Sequence, residues 1–187
     1  MSENRKPAAL ILADGTVYRG VNFGTAGTVF GEIVFTTGVS GFQETLTDPS
    51  NFGQIVVQTF PSVGGYGVNN DDYASDRCHL SGYVVRNVTK LPSNYKMTES
   101  LGQFTAEQGV VGIEGVDTRA ITRHVRDFGS MNAMISTEHL EPTAEVLAEI
   151  RSWKMERAVE SVLSAGGEFP AEEEKLHVCM GKAGLTL

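Results

Sequence analysis

The chain of 187 residues has little that would staple, anchor or charge it. Its two cysteines, Cys78 and Cys179, stand far apart, with no further Cys or His at ligand spacing. A disulfide framework and a zinc site are therefore both excluded. The longest clean apolar run, Ala8 to Ala13, falls far short of the roughly 18 residues a membrane-spanning helix needs. The opening MSENRKP has no apolar stretch of the kind a secretory signal requires. Positive charge is scarce too: 15 Lys and Arg face 23 Asp and Glu, for a net charge of −8. Such a chain repels phosphate backbones and anionic lipid, and no dense basic patch offsets that, so neither nucleic acid nor membrane is an expected partner. The expectation is a soluble, cytoplasmic protein. Also missing are a phosphate loop with its lysine, a Gly-rich dinucleotide fingerprint, a G-x-S-x-G elbow and a histidine pair at metal spacing.

What is present is ordinary globular material, with 41% hydrophobic residues and an unusual 21 glycines, which favour tight turns and short strands. A chain this long buries roughly 70% of its unfolded surface and needs no cross-links to fold. The run AALILA meets an Asp14-Gly15 turn and then the alternating TVYRG, a hairpin pattern. FGEIVFTT, Gln54 to Phe60 and Ser81 to Val88 read as further strands, rich in β-branched residues. Between the first and second of these, GFQETLT makes a short helical turn that ends by Asp48, because the residue before Pro49 is pushed out of the helical region. The second half changes period. A helix is expected from Thr98 to the left-handed cap Gly109, then a short strand in VVGIEG. A stronger helix follows in DTRAITRHVRDFG, capped by Asp117 or Thr118, with Ile121, Val125 and Phe128 on its apolar face. MNAMIS is another strand, and Pro142 opens a helix that aligns Val146, Ile150 and Trp153. The organisation expected is an α/β domain over residues 1–153, an acidic, glycine-containing linker over 154–175, and an apolar stub over 176–187.

Few residues qualify as chemistry. Cys78-His79 is the one adjacent thiol and imidazole, but chain neighbours in a strand point to opposite faces. A small buried cysteine beside a surface histidine is the better reading. Gly64, Gly65 and Gly67 lack a lysine or a following helix and read as a turn. Asp71, Asp72 and Asp76 lack the alternation of a calcium loop and read as solvated surface. The cationic run Arg123 to Arg126 suits the end of a helix. Thr47-Asp48-Pro49-Ser50 differs in kind. Pro49 stiffens the turn, Asp48 can accept from the amides after it, and Ser50 is left as a rigid hydroxyl suited to a ligand carboxylate or amine. On physics alone a capped turn still suffices.

At this segment the sequence resembles a known family. EIVFTTGVSGFQETLTDPSNFGQIVVQTFPSVGGYGVNNDD is similar to the N-terminal region of the small subunit of glutamine-dependent carbamoyl phosphate synthetase. ALILADGTVYRGVNFG, GYVVRN and GIEGVDTRAITRHVRDFGSMNAMI agree in order and spacing, so the resemblance covers most of residues 8–136 and runs more loosely to about 175. It implies a layered β/β/α fold of the swivelling type. It also implies docking on the large synthetase subunit and on a C-terminal glutaminase domain with a Cys/His/Glu triad. Ammonia from glutamine would pass to the large subunit, where ATP and Mg or Mn are expected, to make carbamoyl phosphate for arginine and pyrimidine biosynthesis. The family serine that matches Ser50 helps hold glutamine, and no cofactor is expected in this chain. Phe42 departs from a common tyrosine, Thr45 from an aliphatic residue and Ser62 from a frequent histidine; the last two bear on contact with the large subunit.

FPAEEEKLHVCM resembles the linker and first strand of the glutaminase domain, so Cys179 is no nucleophile and the chain alone is expected to be inactive on glutamine. Two alternatives accompany this reading: a binding-only module of the large subunit with no role in glutamine hydrolysis, and a small independent enzyme built on Cys78 and His79. A bare face toward the glutaminase domain makes self-association an expectation, and a tail after residue 165 is expected to be mobile or to pair with another chain.

Overall fold

Alternating and doubly apolar segments here are strands of one closed sheet. The computed structural model describes residues 5–155. In chain order it contains β1 (Pro7–Leu12), β2 (Val17–Gly24), β3 (Thr28–Thr36), α1 (Phe42–Thr47), a 3₁₀ turn (Pro49–Asn51), β4 (Ile55–Gln58) and β5 (Ser62–Val63). There follow β6 (Gly82–Val84), β7 (Asn87–Val88), α2 (Leu101–Glu107), β8 (Val111–Glu114), α3 (Thr118–Phe128), β9 (Met131–Ser136) and α4 (Ala144–Ser152). Seven strands close into a barrel in the order β1-β2-β8-β6-β4-β3-β9, and β5 and β7 pair separately. The expected α/β class holds. The pairing β3-β4-β6-β8 is parallel throughout, whereas β1, β2 and β9 join the ring by antiparallel ladders.

Burial explains the composition of β1. Ala8, Leu10 and Leu12 point into a core shared with Ile33, Ile55, Val57, Ile113 and Ile135, while Ala9 and Ile11 lie under Val146 and Ile150 of α4. Both faces are covered, so the run is continuously apolar rather than alternating. α3 adds Ile121 and Val125 to the inner core. A second cluster on the outside joins Phe42 and Leu46 of α1 and Leu101 and Phe104 of α2 to Val56 and Tyr83. Tyr83 is fully buried and donates its hydroxyl to Gln58 Oε1 at 3.1 Å, which satisfies the polar end of an otherwise apolar contact. Buried Glu114 is likewise occupied, accepting from Val88 N at 3.1 Å and pairing with Arg5.

Four expectations are corrected. The segment Ser81–Val88 is two short strands, because β6 stays in the barrel between β4 and β8 while Asn87 and Val88 pair with β5 in the separate sheet. The helix expected from Thr98 begins after Ser100, whose hydroxyl accepts from Gln103 N in a capping box, while Thr98 N and Oγ1 both donate to Val68 O. Phe128 does not join the apolar face of α3; it is 73% exposed, at the last turn before Gly129. Trp153 lies one residue beyond α4 in an extended conformation, and Thr143 rather than Pro142 caps that helix. The linker from residue 156 on, the stub and the tail expected to be mobile lie outside the described residues.

Candidate functional site

The Ser50 turn is held from three sides. Its helix, α1, is bracketed by Gln43, fully buried, whose Nε2 donates to Asn69 O at 2.6 Å and whose Oε1 accepts from Asn69 N at 3.0 Å. Thr45 and Thr47 spend their hydroxyl protons on the carbonyls one turn back, Gly41 and Gln43. Asp48 leaves the helix in an extended conformation, as a residue before proline must, and its Oδ1 accepts from Ser50 N at 2.8 Å. Asn51 then reaches back to Thr45 O at 2.9 Å. Asp48 Oδ1 and Asn51 Nδ2 are thus used locally to fix the turn, while the Ser50 hydroxyl is exposed and makes no hydrogen bond among the described residues. The geometry delivers what the sequence suggests: a fixed backbone with a presentable hydroxyl.

The third support was not legible in the sequence. His79 is 8% exposed, so the expected surface histidine is a buried one. Its backbone donates to Leu46 O and accepts from Gly53 N, which clamps both ends of the segment that carries Ser50. Gly53 sits at φ 67, in the left-handed region where a side chain is strained, so glycine suits this closing position. The imidazole Nε2 lies 2.8 Å from Ser75 Oγ, and Ser75 donates its one proton to Thr47 O at 2.7 Å. With that proton on Thr47 O, Nε2 donates to Ser75 Oγ, and Nδ1 is buried and unpartnered. Burial pushes the imidazole pKa below its usual value, and nearby Arg77 adds to this, against weaker opposing pulls from Asp76 and Asp48.

That arrangement answers the Cys78-His79 question. The imidazole faces Ser75, not sulfur, and Ser75 is itself no nucleophile because its proton is committed to a carbonyl. Cys78 is half-buried and burial pushes its thiol up to about 12, the opposite of an activated cysteine. The glycine loop is a turn as read, with Gly64 and Gly67 in the left-handed region and Gly67 N donating to Gly64 O. Asp71 pairs with Lys96 at 2.7 Å and Asp72 accepts from Asn69, and no group of three acidic, His or Cys residues among those described is placed to hold a metal ion. In the cationic run of α3, His124 reaches Asp14 of the first turn at 2.7 Å and Arg126 pairs with Asp127. Among the described residues no helix is long and apolar enough to cross a membrane.

The family departures also have places. Phe42 stacks against Tyr66 with ring centroids 4.7 Å apart, Thr45 is half-buried, and exposed Ser62 lies 3.5 Å from Thr89 through their hydroxyls.

Comparison with known proteins follows the same outline. Residues 10–135 match the family model of the carbamoyl-phosphate synthase small chain, CPSase domain. The chain is 53% identical over 139 residues, 74% of its length, to the carbamoyl phosphate synthase small chain of Synechocystis sp.. It is 52% identical over 149 residues (79% of its length) to that of Streptomyces coelicolor, and 45% identical over 169 residues (90%) to that of Akkermansia muciniphila. The aligned parts amount to 36%, 39% and 45% of those relatives, so the chain spans less than half of their length. On these matches the chain belongs to the carbamoyl-phosphate synthase small chain family through its CPSase domain.

Proposed function

We propose that this chain docks on the large subunit of a glutamine-dependent carbamoyl phosphate synthetase and completes the glutamine site of a glutaminase domain with the Ser50 hydroxyl. The observation that carries the reading is the turn itself: in a chain of this family, a turn fixed by Asp48 and Asn51 leaves the exposed Ser50 hydroxyl available. A neutral hydroxyl in a fixed place can donate to the carboxylate of a bound amino acid or accept from its ammonium. It cannot replace a thiolate nucleophile, so this chain hydrolyses no glutamine by itself. The synthetase supplies carbamoyl phosphate to arginine and pyrimidine biosynthesis in the cytoplasm, with ATP and its metal ion on the large subunit. The swivelling-type β/β/α layering belongs to the same family reading.

Co-elution of the chain with the large subunit on a sizing column tests the docking. Ser50→Ala, placed in a small subunit that has both this sequence and a glutaminase domain, tests the site. One lost hydrogen bond to a charged group raises KM for glutamine about tenfold, while synthesis from added ammonia is unchanged. An unchanged KM would reduce the chain to a binding module.

A further inference from the structure

The four parallel strands β3, β4, β6 and β8 are neighbours in the ring, so their carboxyl ends share one rim of the barrel. A cavity of about 350 Å³ opens there. Each strand contributes to its wall just after it ends: Thr37 follows β3, Thr59 to Pro61 follow β4, Arg86 follows β6, and Thr118 and Arg119 begin the helix after β8. Carboxyl ends of parallel strands are where α/β domains gather ligand-binding groups, because successive loops converge on the same crevice. None of these residues belongs to the Ser50 turn.

The wall is chemically one-sided. Arg119 forms no ion pair or side-chain hydrogen bond among the described residues. In the first turn of α3, Thr118 N goes to Val116 O and Ala120 N to Asp117 Oδ1, which leaves the Arg119 N–H unclaimed. Arg86 approaches Asp117 only at 3.7 Å, with both side chains more than half exposed, so most of its five donors stay open. Thr59 Oγ1 and Thr122 Oγ1 are 2.7 Å apart, and when Thr122 donates, the Thr59 proton is free for a ligand. Thr118 Oγ1 donates to Thr59 O at 3.3 Å and fixes that strand end against the helix. Two guanidinium groups against one carboxylate leave a net positive charge in a chain whose total is −8. Phe60 and Pro61 add an apolar wall.

We infer that this rim cavity is a binding site for a small organic oxyanion, a phosphate or carboxylate on a short carbon skeleton, gripped by Arg86 and Arg119. The planar forks of two arginines suit a two-oxygen edge, the hydroxyls take further oxygens, and the volume exceeds what a bare ion fills. The site is independent of the glutamine reading.

The test uses the 187-residue chain titrated with inorganic phosphate and, separately, with acetate at constant ionic strength, followed by calorimetry and amide NMR shifts. Saturable binding is expected, with shifts at Thr37, Thr59 and Arg119. Arg86→Ala and Arg119→Ala should each weaken it about tenfold, the loss of one charge-assisted contact. Arg123→Ala, exposed on α3 away from the cavity, should change nothing. The lysine variants at 86 and 119 keep the charge but lose the fork, and should bind with intermediate strength. The stronger of phosphate and acetate identifies the ligand headgroup. Absence of saturation at tens of millimolar, or equal affinity in all the variants, overturns the site.

Discussion

At the scale of single residues, His79 is the most consequential side chain near the proposed glutamine contact, and its effect has a sign. Burial keeps its ring neutral in the fold, whereas the unfolded chain takes up a proton there near pH 6.5. Below that pH the unfolded state binds more protons, so stability is fully present above about 6.5 and is lost as the pH falls toward the lowered folded value. His79→Gln should remove this part of the acid slope, read as urea midpoints between pH 7 and pH 5. His79→Leu, which has no N–H to offer, should also cost about 1–3 kcal/mol at neutral pH, from half-buried Ser75 losing its donor. A slope equal to that of the parent chain would mean that the imidazole is not buried as described. The hydroxyl of Ser50 was legible in the sequence because Pro49 and Asp48 announce a turn at known offsets. His79 was not, since burial of a polar ring depends on Ser75 and Thr47, which no local spacing connects to it.

Among the elements, capping and periodicity did most of the predictive work. The Asp14-Gly15 hairpin, the Asp117 cap of α3 and the strand of β9 stand where local chemistry puts them. Errors cluster where tertiary hydrogen bonds outbid local preference: Thr98 donates to Val68 O, and Asn87 and Val88 leave the barrel to pair with β5. Phe128 matched the helical period but falls where α3 has already passed the edge of the core. The start of α2 gives a direct check. Ser100→Ala removes the acceptor for Gln103 N and should destabilise the chain by about 1 kcal/mol, measured by thermal or denaturant melting. No effect would mean that the box is ornamental and that Leu101 and Phe104 alone hold the helix.

For the molecule as a whole, closure of the sheet is what no segment could reveal. Alternation tells which face of a strand is buried, not which strand lies beside it, so the parallel contact of β3 with β4 and its antiparallel contact with β9 had no sequence signature. Leu10, fully buried in the middle of β1, tests the ring at the point where its first and last strands meet. Leu10→Ala should cost about 2–5 kcal/mol, the transfer loss plus an unfilled cavity, seen as a lower denaturant midpoint with the same cooperativity. A loss below about 1 kcal/mol would mean that the barrel interior collapses around the gap.

The joining of Ala9 to Ser136 and of Thr28 to the same residue has a further meaning for association. A ring has no terminal strand, and β5 and β7 form the one open two-stranded sheet among the described residues. Another protein cannot extend this barrel by laying a strand beside it. A partner that docks on the barrel itself must read side chains and loops, which makes recognition there a matter of shape and charge at the rims; backbone pairing is left to the β5–β7 sheet. Substitutions at those rims should therefore alter partner choice without touching the fold.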